Sequence, residues 1–158
     1  MKVKDTGSGI QIYDFTAAEA YAIACTLERE GIRFYQLLME KTADPQARQI
    51  VNYLLNSETE HLRIFEKLLE NEEDEDSEDD EDDLIGSVDN GVFAVPDSEV
   101  HAADFERALE LGIIVEKRSL AFYLEVAKHT ASREGKDALR KVIEEERQHW
   151  EELKKLAG

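Results

Sequence analysis

The chain repeats itself at a constant offset of 88 residues, and no other sequence feature limits the fold as strongly. Five positions of the first half recur in the second half without a gap: Glu28 and Glu116, Phe34 and Phe122, Tyr35 and Tyr123, Glu58 and Glu146, and His61 and His149. Each half thus carries a Glu, then a Phe-Tyr pair, then a Glu-x-x-His motif that begins thirty residues after the first Glu. The fold has to bring two similar halves together, and the repeated Glu and His residues are types that bind metal.

Helical periodicity runs through both halves. Apolar residues recur at spacings of three and four, with charged residues on the other faces, as in amphipathic helices. A good N-cap residue precedes each periodic segment, namely Thr16, Asp44, Asp104 and Ser132. These signals predict four helices, over about 17–42, 45–70, 105–130 and 133–156. The links at 42–44 and 130–132 are so short that each half is predicted to be an antiparallel helical hairpin.

A long connection separates the two hairpins. Residues 71–104 are too many for a turn and fit a crossover that runs the length of a bundle, with the apolar part 84–96 packed against it. Residues 70–83 hold twelve acidic residues and no basic ones, which predicts a solvated, flexible segment. Residues 1–13 are expected to form a tail. The predicted fold is all-α, a single domain over 1–158 in which a long crossover joins two antiparallel hairpins into a four-helix bundle.

Charge and composition exclude several classes of function. The net charge of −18 argues against nucleic acid and against anionic membrane surfaces as partners. No apolar run reaches the roughly 18 residues of a membrane span, and the first residues do not resemble a signal peptide. We therefore expect a soluble, cytoplasmic protein. The single cysteine, Cys25, excludes an internal disulfide and any Cys-x-x-Cys metal site.

Four glutamates each fall within an otherwise apolar helical stripe: Glu28, Glu58, Glu116 and Glu146. A buried carboxylate must be protonated, paired or bound to a cation, and these stripes offer no Lys or Arg at the neighbouring turns. Residues three apart share a helix face, so each Glu-x-x-His can present one oxygen and one nitrogen to a common point. Carboxylates combined with imidazole suit iron, manganese or zinc. The four glutamates, His61 and His149 therefore predict a site for two metal ions.

Other polar residues near these motifs are not expected to bind metal. His101 lies in the connection and His129 at the end of the third helix, and both are expected at the surface. Glu60, Glu144 and Glu145 neighbour the two Glu-x-x-His motifs but lie off the apolar stripes. Their side chains are therefore expected to face away from the site.

These motifs resemble the rubrerythrin branch of the ferritin-like superfamily, over about residues 16–156. The resemblance rests on two sets of motifs: Glu28-x-x-Gly31-x-x-Phe34-Tyr35 with Glu58-Thr59-Glu60-His61, and Glu116 and Phe122-Tyr123 with Glu146-Arg147-Gln148-His149. It implies a ferritin-like bundle that holds two metal ions. The implied ligand roles are bridging carboxylates for Glu58 and Glu146, terminal carboxylates for Glu28 and Glu116, and one imidazole per ion from His61 and His149.

The resemblance further implies that Tyr35 and Tyr123 hydrogen-bond ligand carboxylates across the bundle. The alternative is that both are core aromatics whose hydroxyls find any available partner. Rubrerythrins also carry a rubredoxin-like domain with two Cys-x-x-Cys motifs, which this sequence lacks, and a further carboxylate where this sequence has Ser119. A more symmetric site with six protein ligands is therefore expected.

The function that the resemblance implies is that of a non-haem di-iron oxidoreductase, which reduces peroxide or dioxygen at a site of four Glu and two His. Its cofactors would be two iron ions, with manganese or zinc as substitutes, and a separate donor protein would supply electrons. Two alternatives stay open: an iron-binding, ferroxidase or iron-storage-related protein without peroxidase turnover, and, with less support, a non-catalytic helical scaffold. The long crossover also favours a homodimer, through exchange of 71–104 between chains.

Overall fold

The computed structural model describes residues 1–6, 10–76 and 95–158. Within these ranges the chain forms five helices: α1 (Ala17–Lys41), α2 (Pro45–Asp76), α3 (Asp97–Ala102), α4 (Phe105–His129) and α5 (Arg133–Ala157). Helix α1 pairs with α2 and α4 pairs with α5, and the two hairpins meet where α1 contacts α4 and α2 contacts α5. The predicted all-α bundle of two antiparallel hairpins is confirmed. Among the described helices, none is long and apolar enough to cross a membrane.

Side-chain caps begin each of the four long helices. At α1, Oγ1 of Thr16 accepts from the backbone N–H of Glu19 at 3.1 Å, and Oε2 of Glu19 accepts from that of Thr16 at 2.9 Å, forming a capping box. The other three caps each accept from the backbone amide three residues on: Asp44 from Ala47, Asp104 from Arg107, and Ser132 from Gly135. Such a cap is typically worth about 1 kcal/mol and fixes the residue at which a helix begins.

The core divides into two apolar clusters. The first cluster includes Tyr21, Ile23, Phe65, Phe122 and Leu139. The second cluster includes Leu38, Val51, Leu54, Leu109 and Leu153. Along every long helix, the glutamate predicted to bind metal lies in sequence between residues of these two clusters. The candidate site is therefore enclosed by apolar packing in both directions along the bundle.

The expectation of an N-terminal tail is wrong. The first residues form two antiparallel strands, β1 (Lys2–Asp5) and β2 (Ile10–Tyr13), with Val3 opposite Ile12. Ile12 is only 1% exposed and belongs to the first core cluster. The alternation of apolar and polar residues around Ile12 is the sequence signal for this strand. The segment packs on the bundle because an alternating strand has one apolar face to bury.

Helix α2 continues beyond its predicted end at residue 70 and ends at Asp76. The acidic run that is predicted to be flexible is therefore helical in its first residues. Leu68 and Leu69 are buried and hold the helix to the bundle up to this point, and glutamate is a good helix former in the turns that follow. The rest of the predicted flexible run, and most of the apolar segment 84–96, lie outside the described residues.

The end of the predicted connection forms the short helix α3, which packs against α1. Val100 of α3 is buried in the second core cluster. Asp97, in the first turn of α3, forms an ion pair with Arg33 of α1, in which Oδ2 of Asp97 lies 2.6 Å from Nη2 of Arg33. The chain is thus anchored to the bundle before α4 begins.

We expect Ile12→Ala to lower the free energy of unfolding by about 2–5 kcal/mol, because it leaves a cavity in a packed core. Gln11→Ala, at the exposed neighbouring position of β2, is the matched control and should change this free energy by less than about 0.5 kcal/mol. Urea denaturation followed by circular dichroism measures both values. If Ile12→Ala lowers the free energy of unfolding no more than Gln11→Ala does, the burial of Ile12 does not stabilise the core.

Candidate metal centre

The structure brings all six predicted ligand residues together inside the bundle. Each long helix supplies at least one of them: Glu28 from α1, Glu58 and His61 from α2, Glu116 from α4, and Glu146 and His149 from α5. The four carboxylates are at most 4% exposed, and both imidazoles are fully buried. Because residues three apart share a helix face, α2 and α5 each present one carboxylate and one imidazole to the interior.

The six side chains form two overlapping groups, each of which can hold a metal ion. The His61 group consists of Glu28, Glu58, His61 and Glu146. The His149 group consists of Glu58, Glu116, Glu146 and His149. In each group the candidate ligand atoms all lie within 4.8 Å of one another. Glu58 and Glu146 belong to both groups, so each lies where a carboxylate can bridge two ions.

In the His61 group, Nδ1 of the imidazole faces the carboxylates. It lies 3.1 Å from Oε1 of Glu146, 3.6 Å from Oε2 of Glu28 and 3.7 Å from Oε2 of Glu58. These carboxylates come from three different helices, α5, α1 and α2. The group therefore depends on the packing of both hairpins and not on one helix alone.

The His149 group repeats this arrangement. Nδ1 of His149 lies 3.2 Å from Oε1 of Glu58, 3.8 Å from Oε2 of Glu116 and 3.9 Å from Oε2 of Glu146. The rings of His61 and His149 stack, with their centroids 5.4 Å apart. The internal repeat of the sequence thus reappears as two similar groups, placed side by side.

The outer nitrogen of each imidazole has a partner on the other hairpin. Nε2 of His61 lies 2.7 Å from Oε2 of Glu145, and Nε2 of His149 lies 2.8 Å from Oγ of Ser57. The expectation that Glu145 faces away from the site is wrong. Glu145 lies off the apolar stripe of α5, but its side chain reaches across to His61 on α2. Ser57 is not predicted from the sequence. Both residues directly precede the Glu of a Glu-x-x-His motif, and that shared position is the signal that points to them.

Two tyrosines connect the hairpins through carboxylates of the site. The hydroxyl of Tyr35 on α1 donates to Oε1 of Glu116 on α4, and the hydroxyl of Tyr123 on α4 donates to Oε1 of Glu28 on α1. Burial and the nearby carboxylates raise the pKa of both tyrosines well above the usual value, so both hydroxyls keep their protons. The resemblance to rubrerythrins implies such contacts between tyrosines and ligand carboxylates across the bundle. A role for the two tyrosines in the chemistry stays a prediction.

Several buried polar atoms of the site have no hydrogen-bond partner among the described residues: Oε2 of Glu28, Oε2 of Glu116, Oε2 of Glu146 and Nδ1 of His149. Within the described parts of the chain, the four carboxylates form ion pairs with His61, with His149 or with both. A buried polar atom without a partner costs stability, and several at one place need an explanation. Two divalent cations would pair with these atoms, so the residues present fit a two-metal site.

Burial sets the protonation of the metal-free site. It raises the pKa of Glu28 and of Glu146 well above the usual value, and the charge of Glu58 adds to the effect. Burial also opposes the charged form of Glu58, but its interactions with the neighbouring Glu28 and the imidazole of His149 outweigh burial and lower the pKa of Glu58. Burial likewise disfavours charge on His149, but the carboxylates of Glu116 and Glu58 outweigh it and raise its pKa to about 9. Protons and metal ions therefore compete for the same ligand atoms.

The other sequence candidates lie outside both groups. His101 and His129 are exposed, and Glu60 is exposed and pairs with Arg63. Ser119 is half-buried, and neither group includes a further carboxylate from α4. Among the residues that the structure describes, only the six that form the two groups are arranged to hold metal.

Comparisons with known proteins identify the same fold. The sequence profile of the family described as Rubrerythrin matches residues 19–157. A crystal structure described as that of a ferritin-like diiron-carboxylate protein from Thermotoga maritima aligns with a TM-score of 0.71. It is 24% identical in sequence, and the alignment covers 93% of this chain and 97% of that chain, so the likeness shows the fold. No curated protein matches the chain.

We expect the metal-free protein to lose stability as the pH rises from about 6.5 to about 9. The pKa of His149 is near 6.5 when unfolded and about 9 when folded, and the raised pKa values of Glu28 and Glu146 act in the same direction. Stability from such groups is fully present below the unfolded pKa and is lost as the pH rises through the folded pKa. Thermal unfolding at several pH values, followed by circular dichroism, measures the change.

The substitution His149→Gln is the control for this pH dependence. It removes one of the groups that bind a proton more tightly in the folded state, so the midpoint of unfolding should fall less steeply over the same pH range. A wild-type midpoint that stays constant or rises between these pH values would contradict the protonation states described above.

Proposed function

The chain belongs to the rubrerythrin family, and on that premise we propose that it is a non-haem di-iron oxidoreductase that reduces peroxide. The observation that carries this proposal is the pair of overlapping groups that share Glu58 and Glu146. Four ionised carboxylates and two neutral imidazoles carry four negative charges, which two ferrous ions would neutralise. The same ions would pair with the buried carboxylate oxygens that lack a hydrogen bond within the described parts of the chain.

Iron is the metal that the family and the ligand set favour together. Imidazole combined with carboxylates suits iron, manganese and zinc, and the similar crystal structure is described as that of a ferritin-like diiron-carboxylate protein. Zinc has no redox chemistry, so it cannot supply electrons to a substrate. We propose that manganese or zinc occupies the site only as a substitute.

The reduction of peroxide to two waters takes two electrons and two protons, and two ferrous ions held here would supply the electrons by becoming ferric. The residues of the chain hold the ligand atoms in place for this reaction. The hydroxyls of Tyr123 and Tyr35 each bind Oε1 of one carboxylate, Glu28 and Glu116 respectively. In both glutamates Oε2 is the oxygen that has no hydrogen-bond partner in the described part of the chain. Each tyrosine thus fixes one oxygen and leaves the other free to bind metal.

Aromatic packing keeps bulk water away from the site. Phe65 stacks on Tyr123 with ring centroids 5.2 Å apart, and Phe122 contacts the same tyrosine edge-on. Phe34 makes the equivalent edge-on contact with Tyr35. Hydrocarbon walls lower the local dielectric constant, which strengthens the attraction between the carboxylates and a bound cation. Such an enclosed site suits a small oxidant such as peroxide or dioxygen.

We also propose that a separate protein returns the electrons to the iron site. The sequence has one cysteine, Cys25, which is buried, and no Cys-x-x-Cys motif that could hold a second redox centre. The homodimer that the long connection favours stays a prediction, and light scattering coupled to size-exclusion chromatography tests it.

We expect the protein, loaded anaerobically with Fe²⁺, to retain two irons per chain and to consume one peroxide for every two irons oxidised. Stopped-flow absorbance follows the oxidation, which should be faster with peroxide than with dioxygen at the same concentration. Glu58→Gln removes the charge of a carboxylate shared by both groups, so it should reduce the retained iron to one per chain or fewer. Glu60→Gln, the same change at an exposed position on α2, is the control and should retain two.

Other results would support the alternatives. Faster oxidation by dioxygen, with far more than two irons retained per chain, would favour a ferroxidase or storage function. Folded wild-type protein that retains no iron would contradict the proposal and leave the scaffold alternative.

A further inference from the structure

The two halves of the site differ in the residue that contacts the outer nitrogen of each imidazole. Ser57 and Glu145 are related by the offset of 88 residues, and each directly precedes the Glu of its Glu-x-x-His motif. Each contacts the imidazole of the other half, since Glu145 meets Nε2 of His61 and Ser57 meets Nε2 of His149. The six ligand residues are therefore identical in the two halves, whereas the residues that contact the outer nitrogens of the imidazoles, Glu145 and Ser57, are not.

A carboxylate partner determines which nitrogen of His61 carries a proton. An ionised carboxylate only accepts hydrogen bonds, so Nε2 of His61 donates its proton across 2.7 Å to Oε2 of Glu145. A histidine that binds metal usually donates its other N–H in this way. Nδ1 of His61, which lies inside the His61 group 3.1 Å from Glu146, is then the nitrogen that remains for a metal ion.

A hydroxyl partner does not determine the tautomer of His149. Oγ of Ser57 can accept from Nε2–H or donate to an unprotonated Nε2, because a serine hydroxyl is both donor and acceptor. Nδ1 of His149 also lacks an aligned hydrogen bond, although Oε1 of Glu58 is 3.2 Å away. His149 therefore receives neither a fixed proton position nor a negative charge from the residue behind it.

We propose that Glu145 is a positioning residue that makes the two metal positions unequal, so that the His61 group binds the first ion tightly and the His149 group binds the second more weakly. The negative charge of Glu145 makes His61 a stronger electron donor and holds its ring in place. Ser57 does neither for His149. This inference rests on the proposed function, because it requires both groups to bind metal.

Stepwise titration of the full chain with Zn²⁺ tests the order of filling without any turnover. The ¹⁵N NMR signals of the histidine rings report which imidazole binds metal at each added equivalent. The signals of His61 should change during the first equivalent and those of His149 during the second. Simultaneous changes in both rings would overturn the inference.

The substitution Glu145→Gln removes the charge and keeps the size of the side chain. We expect it to weaken binding of the first ion by about 10–100-fold, measured against a competing chelator, and to make both histidines respond together. Glu144→Gln, the same change at the exposed neighbouring position, is the control and should leave the titration unchanged. If Glu145→Gln lowers only the thermal stability and leaves affinity and filling order unaltered, the contact is merely structural and the inference fails.

The reciprocal substitution Ser57→Glu provides a test that does not depend on the folding of the first variant. A carboxylate behind His149 should tighten binding of the second ion and reduce the difference between the two affinities. An unchanged second affinity in folded Ser57→Glu protein would overturn the inference. Wild-type protein that binds no metal would instead contradict the proposed function. Two ions bound with equal affinity would contradict only the inference that the His61 group binds metal more tightly than the His149 group.

Discussion

Four carboxylates buried between two apolar clusters are the constraint on which the rest of this structure depends. Charged oxygens in an apolar interior are costly unless protons, hydrogen bonds or cations compensate them. In the metal-free protein, burial raises the pKa of Glu28 and Glu146, and the hydroxyls of Tyr35 and Tyr123 each compensate one oxygen. Folding stability and metal affinity therefore depend on the same oxygen atoms. A substitution that relieves the buried charge is expected to weaken the site for metal.

The internal repeat explains why so much of the fold could be predicted from the sequence. Helix starts depend on local capping residues such as Thr16 and Asp104, and apolar stripes depend on spacing within a single helix. Short links then leave an antiparallel hairpin as the natural arrangement of each half. Given the two hairpins, the spacing of Glu58 from His61 and of Glu146 from His149 determines which side chains face the interior. The grouping of the six side chains follows from these local rules.

Contacts between elements that are distant in the sequence could not be predicted in the same way. The burial of Ile12 depends on where β2 meets α4, which no local pattern encodes. Glu145 lies off the apolar stripe of α5, and its contact with His61 depends on how closely α5 approaches α2. The extension of α2 to Asp76 reflects helix propensity within an acidic run, where mutual repulsion of charges favours a flexible segment. For Ile12 and Glu145 the packing of two elements decides the outcome, whereas for the end of α2 helix propensity outweighs charge repulsion.

Anomalous diffraction at the iron absorption edge, from crystals of the iron-loaded protein, tests most directly whether the buried carboxylates hold two metal ions. Two peaks per chain are expected, one within the His61 group and one within the His149 group, with Glu58 and Glu146 between them. A single peak, or none, in protein whose bundle is intact would contradict a two-metal site. The buried carboxylates would then be compensated by protons and tyrosine hydroxyls alone.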